Sequence, residues 1–232
     1  MMVIQAQQLT KHFRGGDGGT IAVLENVDLS LRRGEMVAVV GASGAGKSTL
    51  LHLLGALDRP TSGFVVLDGV PLHGLPDDEL AGLRNRKVGF VFQFHHLLRE
   101  FSALENVRMP LRIAGWEVKR ARSRAEELLA RVGLGGRMTH RPSEMSGGEQ
   151  QRTAVARALA LDPAVVLADE PSGNLDHANA ERLHDQFVHL VRELEIAMVV
   201  VTHNRSLAAR ADRALLLEDG RLREADVREV LA

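Results

Sequence analysis

The sequence predicts an α/β fold with a mostly parallel sheet, an antiparallel β subdomain at the N-terminus and an inserted α-helical subdomain. Three short runs rich in Val, at 36–40, 164–168 and 197–201, are apolar throughout, as strands buried on both faces of a parallel sheet are. Each run leads toward a segment with helical periodicity. The stretch between Gln93 and Ala164 has few strand signals, and this predicts the helical insertion.

The composition is that of a globular protein with a substantial core. The 232 residues are 45% hydrophobic and 25% charged, and the net charge is −1. This balance gives no general attraction to nucleic acid or to an anionic membrane. The absence of cysteine excludes disulfides and thiol chemistry. The N-terminus lacks the pattern of a signal peptide, and every apolar run is far shorter than the roughly 20 residues of a membrane helix. We therefore expect no membrane-spanning segment.

Residues 1–35 have a different pattern from the rest of the chain. The segments VIQAQQLTKHF (3–13) and IAVLENVDLSL (21–31) alternate apolar and polar residues, and a glycine-rich connection separates them. Alternation of this kind predicts strands with one buried face. We expect these two segments to form an antiparallel pair, and the segment GFVVLDG (63–69) to join this pair.

Helical periodicity follows the first two apolar runs and also occurs in the insertion. In KSTLLHLLGAL (47–57), four leucines recur at helical spacing, which predicts a helix whose apolar stripe extends to Leu57. A second helix is predicted from Asp176, a suitable N-cap, to about Glu195. RARSRAEELLARVGL (120–134) predicts an amphipathic helix that ends near Gly133.

The chain contains no long linker, low-complexity tract or internal repeat, so residues 1–232 are predicted to form a single domain. Residues 1–93 and 160–232 are assigned to the core with its antiparallel part. Residues 94–159 are assigned to the helical subdomain.

A glycine-rich loop, GASGAGKS (41–48), matches the pattern G-x-x-x-x-G-K-[ST] and lies between a predicted strand and a predicted helix. Backbone N–H groups of such a loop bind phosphates, the lysine adds a cation, and the Ser48 hydroxyl ligates Mg²⁺. The motif therefore predicts a P-loop NTPase (RecA-like) core that binds a nucleotide and Mg²⁺. A P-loop alone is compatible with kinases, GTPases and many ATPases, and the resemblance described below implies ATP. The predicted phosphate-binding residues are Gly41, Ala42, Ser43, Gly44, Ala45, Gly46, Lys47, Ser48 and Thr49.

Two carboxylates end the strand VVLADEP (165–171). Asp169 is predicted to reach Mg²⁺, directly or through water, and Glu170 to polarise the water that attacks the γ-phosphate. A solvated strand terminus is the commoner role of such a pair. After a complete phosphate loop, the catalytic interpretation is favoured.

Two further polar residues end strands. His203, in VVVTHN, is a candidate to bind the γ-phosphate and to hold Glu170 or the attacking water. Gln93, in VGFVFQ, is a candidate ligand of Mg²⁺. Taken alone, His203 would be interpreted as one of ten histidines that happens to end a strand, and the spacing signal for Gln93 is weak.

A predicted helix begins at SGGEQ (146–150), where Ser146 and Glu149 form the S-x-x-E pattern of a capping box. Gly147 and Gly148 fill its first turn, although each glycine costs about 1 kcal/mol relative to alanine. Glycines at this place leave room for a ligand to approach the backbone N–H groups.

Taken in order, these motifs resemble those of the ATP-binding cassette (ABC) family over essentially the whole chain. The resemblance implies that 41–48 is the Walker A loop, 165–170 the Walker B strand and 172–176 the D-loop. It also implies that 146–150 is the signature, whose residues Ser146, Gly147, Gly148 and Glu149 bind the ATP held by a second copy in a head-to-tail homodimer. In this family an aromatic residue at the position of Phe13 packs on adenine. The alternative for Phe13 is a core residue.

Three positions depart from the usual ABC pattern. Met145 replaces leucine, Glu149 stands where glutamine is common, and Asn204 replaces an aspartate. Methionine is close to leucine in volume, and Glu149 keeps the capping-box pattern, so neither change argues against function.

The segments FQFHHLL (92–98), ALENVRMPL (103–111), HRPSEMSGGE (140–149) and LADEPSGNLD (167–176) resemble the lipoprotein-releasing branch of the family. This implies an ATPase on the cytoplasmic face of the bacterial inner membrane, peripheral and bound to two integral membrane subunits, with no nucleic acid partner and only indirect contact with lipoprotein cargo. Macrolide-exporter and cell-division cassettes share much of the pattern and remain alternatives. Adjacent histidines in FHHLL rarely ligate one metal ion.

Two other functional classes fit less well. A soluble cassette that acts on DNA would carry long coiled coils between Thr49 and Met145, where no sustained heptads occur, and ribosome-associated cassettes usually have two cassettes in a chain. A P-loop kinase or GTPase would not explain the SGGEQ motif.

Overall fold

The computed structural model describes residues 1–16 and 18–225, which fold around a six-stranded sheet. Its strands lie in the order β10 (Arg221–Ala225), β9 (Arg213–Glu218), β3 (Met36–Val40), β8 (Ala197–Val201), β7 (Val165–Asp169) and β6 (Val88–Phe92). All neighbours pair in parallel except β9 and β10, which form an antiparallel hairpin. The predicted mostly parallel sheet is confirmed, and the terminal hairpin is an addition to it.

The predicted antiparallel part is a separate four-stranded sheet. Its strands lie in the order β2 (Thr20–Arg32), β1 (Met2–Arg14), β4 (Ser62–Leu67) and β5 (Val70–Pro71). β1 pairs with both β2 and β4, as the alternating sequences predicted.

Seven α-helices are present among the described residues. They are α1 (Lys47–Leu54), α2 (Asp77–Lys87), α3 (Ala103–Ile113), α4 (Val118–Arg131), α5 (Gly147–Ala158), α6 (His177–Leu194) and α7 (Arg205–Ala208). Residues 94–159, all of which the structure describes, contain α3, α4 and α5 with two short 3₁₀ turns, and no strand. Asp176 is the N-cap of α6, as predicted.

The prediction that the first helix extends to Leu57 is wrong. α1 ends at Leu54, because Gly55 caps it and Ala56 adopts the left-handed conformation with φ 57°. The chain therefore leaves the helix axis, and the Leu57 side chain is 44% exposed instead of completing the buried stripe.

The core lies on both faces of the six-stranded sheet. All five residues of β3 are buried. Met36 and Ala38 pack on the side of α3, α4, α5 and α6, whereas Val37 and Val39 pack on the side of α1 and the antiparallel sheet. Side chains alternate across a strand. A strand between two core layers is therefore apolar at every position, which explains the continuous apolar runs.

None of the helices within residues 1–16 and 18–225 has the length and apolar character needed to cross a membrane.

Contact between β6 and α5 leaves no space for a side chain at Gly89. A Cβ placed there would overlap the carbonyl oxygen of Ala158, which is backbone and cannot rotate away. We expect Gly89→Ala to lower the free energy of unfolding by about 1–3 kcal/mol, the usual cost of overpacking. Gly135→Ala is the control, because a Cβ there meets no atom within 4 Å. Urea unfolding measures both variants, and equal midpoints would contradict the prediction.

Candidate nucleotide-binding and catalytic site

The predicted phosphate loop connects β3 to α1 and is largely exposed. Gly46, the N-cap of α1, has φ 97°, and a Cβ there would lie 2.9 Å from the carbonyl oxygen of Val23. Both the conformation and the close approach require glycine. The N-terminus of α1, the positive end of the helix dipole, faces the loop. No acidic residue in the first turn of α1 offsets this positive end.

The Lys47 side chain lies across this loop. Its Nζ donates to the carbonyl oxygens of Gly41 and Ala42, each at 2.9 Å. The ammonium group is thereby held at the mouth of the loop, beside the helix N-terminus. The loop combines a cation, backbone N–H groups and a helix N-terminus, which is the arrangement of a phosphate site.

Strand pairing brings the predicted polar residues to one edge of the sheet. β6, β7 and β8 run parallel and in register, with Asp169 opposite Phe92 on one side and Val201 on the other. Gln93, Glu170 and His203 follow these strands closely in sequence. The carboxyl ends of parallel strands meet at one edge, and β3 delivers the phosphate loop to the same edge.

Glu170 and His203 are in direct contact. The Glu170 carboxylate accepts from the backbone N–H of His203 at 3.1 Å and from the Thr202 hydroxyl at 3.3 Å. Nδ1 of His203 lies 2.9 Å from Oε1 of Glu170, and since a carboxylate only accepts, Nδ1 donates. Nε2 of this exposed imidazole therefore faces away from Glu170, and it donates to another acceptor only when the ring is protonated on both nitrogens.

The backbone at Glu170 is unusual. Its φ is 45°, in the left-handed region, and its N–H donates to the Val201 carbonyl at 2.9 Å. A non-glycine residue in this conformation is uncommon and occurs often at functional sites. The turn places the carboxylate next to the neighbouring strand end, where Thr202 and His203 hold it.

Gln93 is joined to the segment 172–176. Its Nε2 donates to Oδ1 of Asn174 at 3.1 Å, and Nδ2 of Asn174 donates to the Gln93 carbonyl at 3.1 Å. Gly173 lies so close that a Cβ there would be 2.9 Å from Nε2 of Gln93. Oε1 of Gln93 remains as the atom able to ligate a cation. Asn174 was not identified from the sequence, because its partner is 81 positions away.

The predicted capping box at α5 is present. The backbone N–H of Ser146 donates to Glu149 at 2.8 Å, and the Ser146 hydroxyl accepts from the Glu149 N–H at 3.3 Å. Arg137 adds an ion pair to Glu149 at 2.9 Å. The hydrogen bonds from Ser146, with the Arg137 charge, lower the pKa of Glu149 to about 2.

The two glycines of the signature differ, although the sequence predicted that both leave room for a ligand. Gly147 is exposed, and a Cβ there would meet only Leu175, at 3.9 Å. Gly148 is buried, and a Cβ there would lie 3.0 Å from Oδ1 of Asn179 on α6. Gly147 therefore leaves open space in front of the helix, whereas Gly148 permits close packing of α5 on α6.

Phe13 is 43% exposed, so it is not a core residue. It lies on β1, with Nζ of Lys11 4.9 Å from the ring centre. An exposed ring face beside a cation can accept a flat aromatic ligand.

Two polar residues for which the sequence predicted no role hold the neighbouring loops. Asn204 caps α7 by accepting from the Leu207 N–H at 3.1 Å, which accounts for its place after the predicted catalytic histidine. His184, fully buried on α6, bonds the Ser172 hydroxyl at 2.9 Å. The cap has a recognisable local signal, an asparagine before a short helix, but nothing local identifies the His184 contact.

The oxygen donors at this sheet edge suit Mg²⁺. They are the Ser48 hydroxyl, the Asp169 carboxylate and the Gln93 amide, all hard ligands of the type that Mg²⁺ takes together with phosphate oxygens. The donor set and the phosphate loop therefore fit a nucleotide with its cation.

The sequence matches the model of the family described as ABC transporter over residues 24–173. The lipoprotein-releasing system ATP-binding protein LolD of Syntrophus aciditrophicus is 52% identical over 220 residues, which cover 95% of this chain and 98% of that protein. The protein of the same name from Bordetella pertussis is 55% identical over 219 residues, which cover 94% of each chain.

A solved structure has the same fold. It is a dimeric post-hydrolysis state of the ATP-binding cassette MJ0796 bound to ADP and Pi, with a TM-score of 0.88 and 39% identity. The match covers 97% of this chain and 99% of that chain.

The low pKa of Glu149 predicts how stability depends on pH. Its folded-state pKa of about 2 lies below the ordinary value of 4.5, so the stability from its ionised form is present above about pH 4.5. This stability is lost as the pH falls toward 2. We expect Glu149→Gln to be less stable than wild type at pH 7, with a smaller difference at pH 3. Urea unfolding at both values measures the difference.

The control for this prediction is Glu126→Gln, which removes an exposed ion pair with Arg122 on α4. Such surface pairs contribute little to stability. A difference between wild type and Glu149→Gln that stays constant or grows toward pH 3 would contradict the assignment.

Proposed function

Because the chain belongs to the ABC transporter family, we propose that it is the ATP-hydrolysing subunit of a bacterial inner-membrane transporter that releases lipoproteins toward a periplasmic carrier. The proposal that the chain hydrolyses ATP rests on the contact of Glu170 with His203, at the sheet edge that also holds the phosphate loop. The names of relatives that are 52% and 55% identical support the cargo class.

ATP binds in the phosphate loop of one chain. Backbone N–H groups of residues 41–49 and the N-terminus of α1 bind the β- and γ-phosphates, and Lys47 turns from the loop carbonyls to the phosphate oxygens. Phe13 packs on the adenine ring. Ser48, Asp169 and Gln93 would hold Mg²⁺, which would neutralise charge on the phosphates.

Glu170 and His203 act on the attacking water. The Glu170 carboxylate accepts a proton from the water as the water oxygen bonds to the γ-phosphorus and the bond to the β,γ-bridging oxygen breaks, so that ADP and phosphate leave. Such a base typically contributes about 10²–10⁴-fold to the rate. His203 keeps Glu170 in place through its N–H and Nδ1, and with the ring protonated on both nitrogens Nε2 donates to a γ-phosphate oxygen. Catalysis otherwise consists of positioning and charge stabilisation.

A second copy of the chain completes the site. The first turn of α5 presents Ser146 and the open surface at Gly147, and in a head-to-tail homodimer this end binds the γ-phosphate of the partner's ATP. The capping box leaves Glu149 turned back toward Ser146, so its carboxylate satisfies its own helix end. The dimeric state of MJ0796 supports this arrangement.

Two integral membrane subunits, LolC/LolE-like, are the proposed partners, and the chain is peripheral on the cytoplasmic face of the membrane.

A groove of about 530 Å³ lies between α2, α3 and the end of α5. Its apolar lining includes Leu57, Leu98, Met109, Ile113 and Pro163. Leu98 is 45% and Ile113 68% exposed, so the groove offers apolar surface for a cytoplasmic helix of a membrane subunit. Lipoprotein cargo is contacted only through these subunits.

Glu170→Gln tests the catalytic assignment. The amide cannot accept the proton, so we expect ATP hydrolysis to fall at least about 100-fold while ATP binding is kept. ATP should then hold the variant as a dimer in size-exclusion chromatography. Glu218→Gln, which changes an exposed carboxylate at the end of β9, is the control. Turnover near that of wild type in Glu170→Gln would exclude Glu170 as the base.

Leu98→Glu tests the groove. A charge on this exposed apolar lining should weaken assembly with the membrane subunits or lipoprotein release at least about tenfold, while the isolated subunit still binds ATP. Val70→Glu introduces the same charge at an exposed apolar position on the other sheet and is the control. Co-purification from detergent measures assembly. Normal assembly and release in Leu98→Glu would exclude the groove.

A further inference from the structure

The segment that follows Gln93 is fastened to both ends of α5. Near the end of this helix, Arg157 donates from Nη2 to the His95 carbonyl at 2.7 Å and from Nη1 to the His96 carbonyl at 2.6 Å. At its first residue, the Gly147 carbonyl lies 2.9 Å from Nε2 of His95. Residues 94–96 are called here the linking segment. These contacts attach the segment to α5 as well as to the edge of the sheet.

A third contact extends this attachment. Gln151, buried in the middle of α5, donates from Nε2 to the Phe92 carbonyl at 3.3 Å. The side chains of a helix lean toward its N-terminus, so Gln151 and Arg157 both reach back along α5 to the same stretch of backbone. The end of β6 and the linking segment are thus held along the length of the signature helix.

The direction of the His95 hydrogen bond follows from its partner. A carbonyl oxygen only accepts, so Nε2 of His95 must carry the proton and donate. The Gly147 carbonyl belongs to the same peptide plane as the Gly148 N–H, in the first turn of α5. A donor at one end of a peptide fixes its plane and polarises the N–H at the other end.

We infer that His95 is a positioning residue, which holds the Gly147–Gly148 peptide in the orientation that receives the partner's ATP and links this peptide to the groove that begins near Leu98. The inference rests on the proposed function, because it gives a role to the first turn of α5 in binding a second copy's nucleotide. The linking segment lies in sequence between the Gln93 contact with Asn174 and the groove. A rotation of α5 on ATP would therefore move the backbone beside the groove directly.

His96, the adjacent histidine of the same motif, provides the control for changes at His95. It has φ 47°, and its ring packs edge-on against Phe92 with the ring centres 5.2 Å apart. Its bond with Arg157 uses only the backbone carbonyl, which a change of side chain leaves in place. Asparagine tolerates the left-handed conformation, so His96→Asn changes a histidine of the same motif without changing the attachment to α5.

The experiment compares His95→Ala, His95→Gln and His96→Asn in the full chain with ATP and Mg²⁺. Loss of one hydrogen bond should lower kcat about 3- to 10-fold in His95→Ala, with the affinity for ATP unchanged, because the chain's own phosphate loop is intact. Glutamine supplies an N–H donor at a similar reach, so His95→Gln should recover most of kcat. His96→Asn should equal wild type.

A second measurement separates this inference from the proposed function. The amide resonance of Gly148 should shift in His95→Ala and return in His95→Gln, and the His95 ring should show the Nε2–H tautomer by NMR. Wild-type kcat in His95→Ala, a His95→Gln as slow as His95→Ala, or an unmoved Gly148 amide would overturn the inference. A wild-type chain that binds ATP without hydrolysing it would instead contradict the proposed function, and the Gly148 resonance would still decide whether the hydrogen bond exists.

Discussion

The arrangement depends on parallel, in-register hydrogen bonding between strands that are buried on both faces. Because β6, β7 and β8 are paired without a shift, the residues that follow them emerge at the same height. β3 is bonded directly to β8 and carries the phosphate loop to that edge. A slip of one residue in β7 would move Glu170 to the other face of the sheet, away from His203. The register is therefore as much a part of the site as the side chains are.

The sequence predicted the parts of the structure that depend on local pattern. Continuous apolar runs gave β3, β7 and β8, alternation gave β1 and β2, and the capping box at Ser146 is present. The contact of Glu170 with His203 was also anticipated, because strand ends of a parallel sheet meet. Leu57 was misplaced, because periodicity continues through Gly55 and the left-handed turn after it cannot be identified from apolar spacing.

The contacts that were missed join residues far apart in sequence through single hydrogen bonds. Gln93 and Asn174 are separated by 81 positions, and His95 and Gly147 by 52. Neither pair follows a periodic pattern, and the second involves a backbone carbonyl of a glycine, so no pattern in the sequence indicates either contact. The burial of Gly148 was missed for a similar reason, since it depends on how α5 packs against α6. Such details follow from tertiary packing, which local propensity does not determine.

The attachment of Lys47 to the carbonyls of Gly41 and Ala42 has a thermodynamic consequence. Ordering a lysine side chain costs about 1.5–2 kcal/mol of conformational entropy. In this chain the lysine side chain loses this entropy when the protein folds, because the loop carbonyls already hold the ammonium group at the mouth of the loop. An arriving anion exchanges two carbonyl partners for its own oxygens and meets a cation that is already in place. Lys47 still turns from these carbonyls to the anion, but part of its side-chain entropy has already been lost on folding, so anion binding costs less entropy than it would with a mobile lysine.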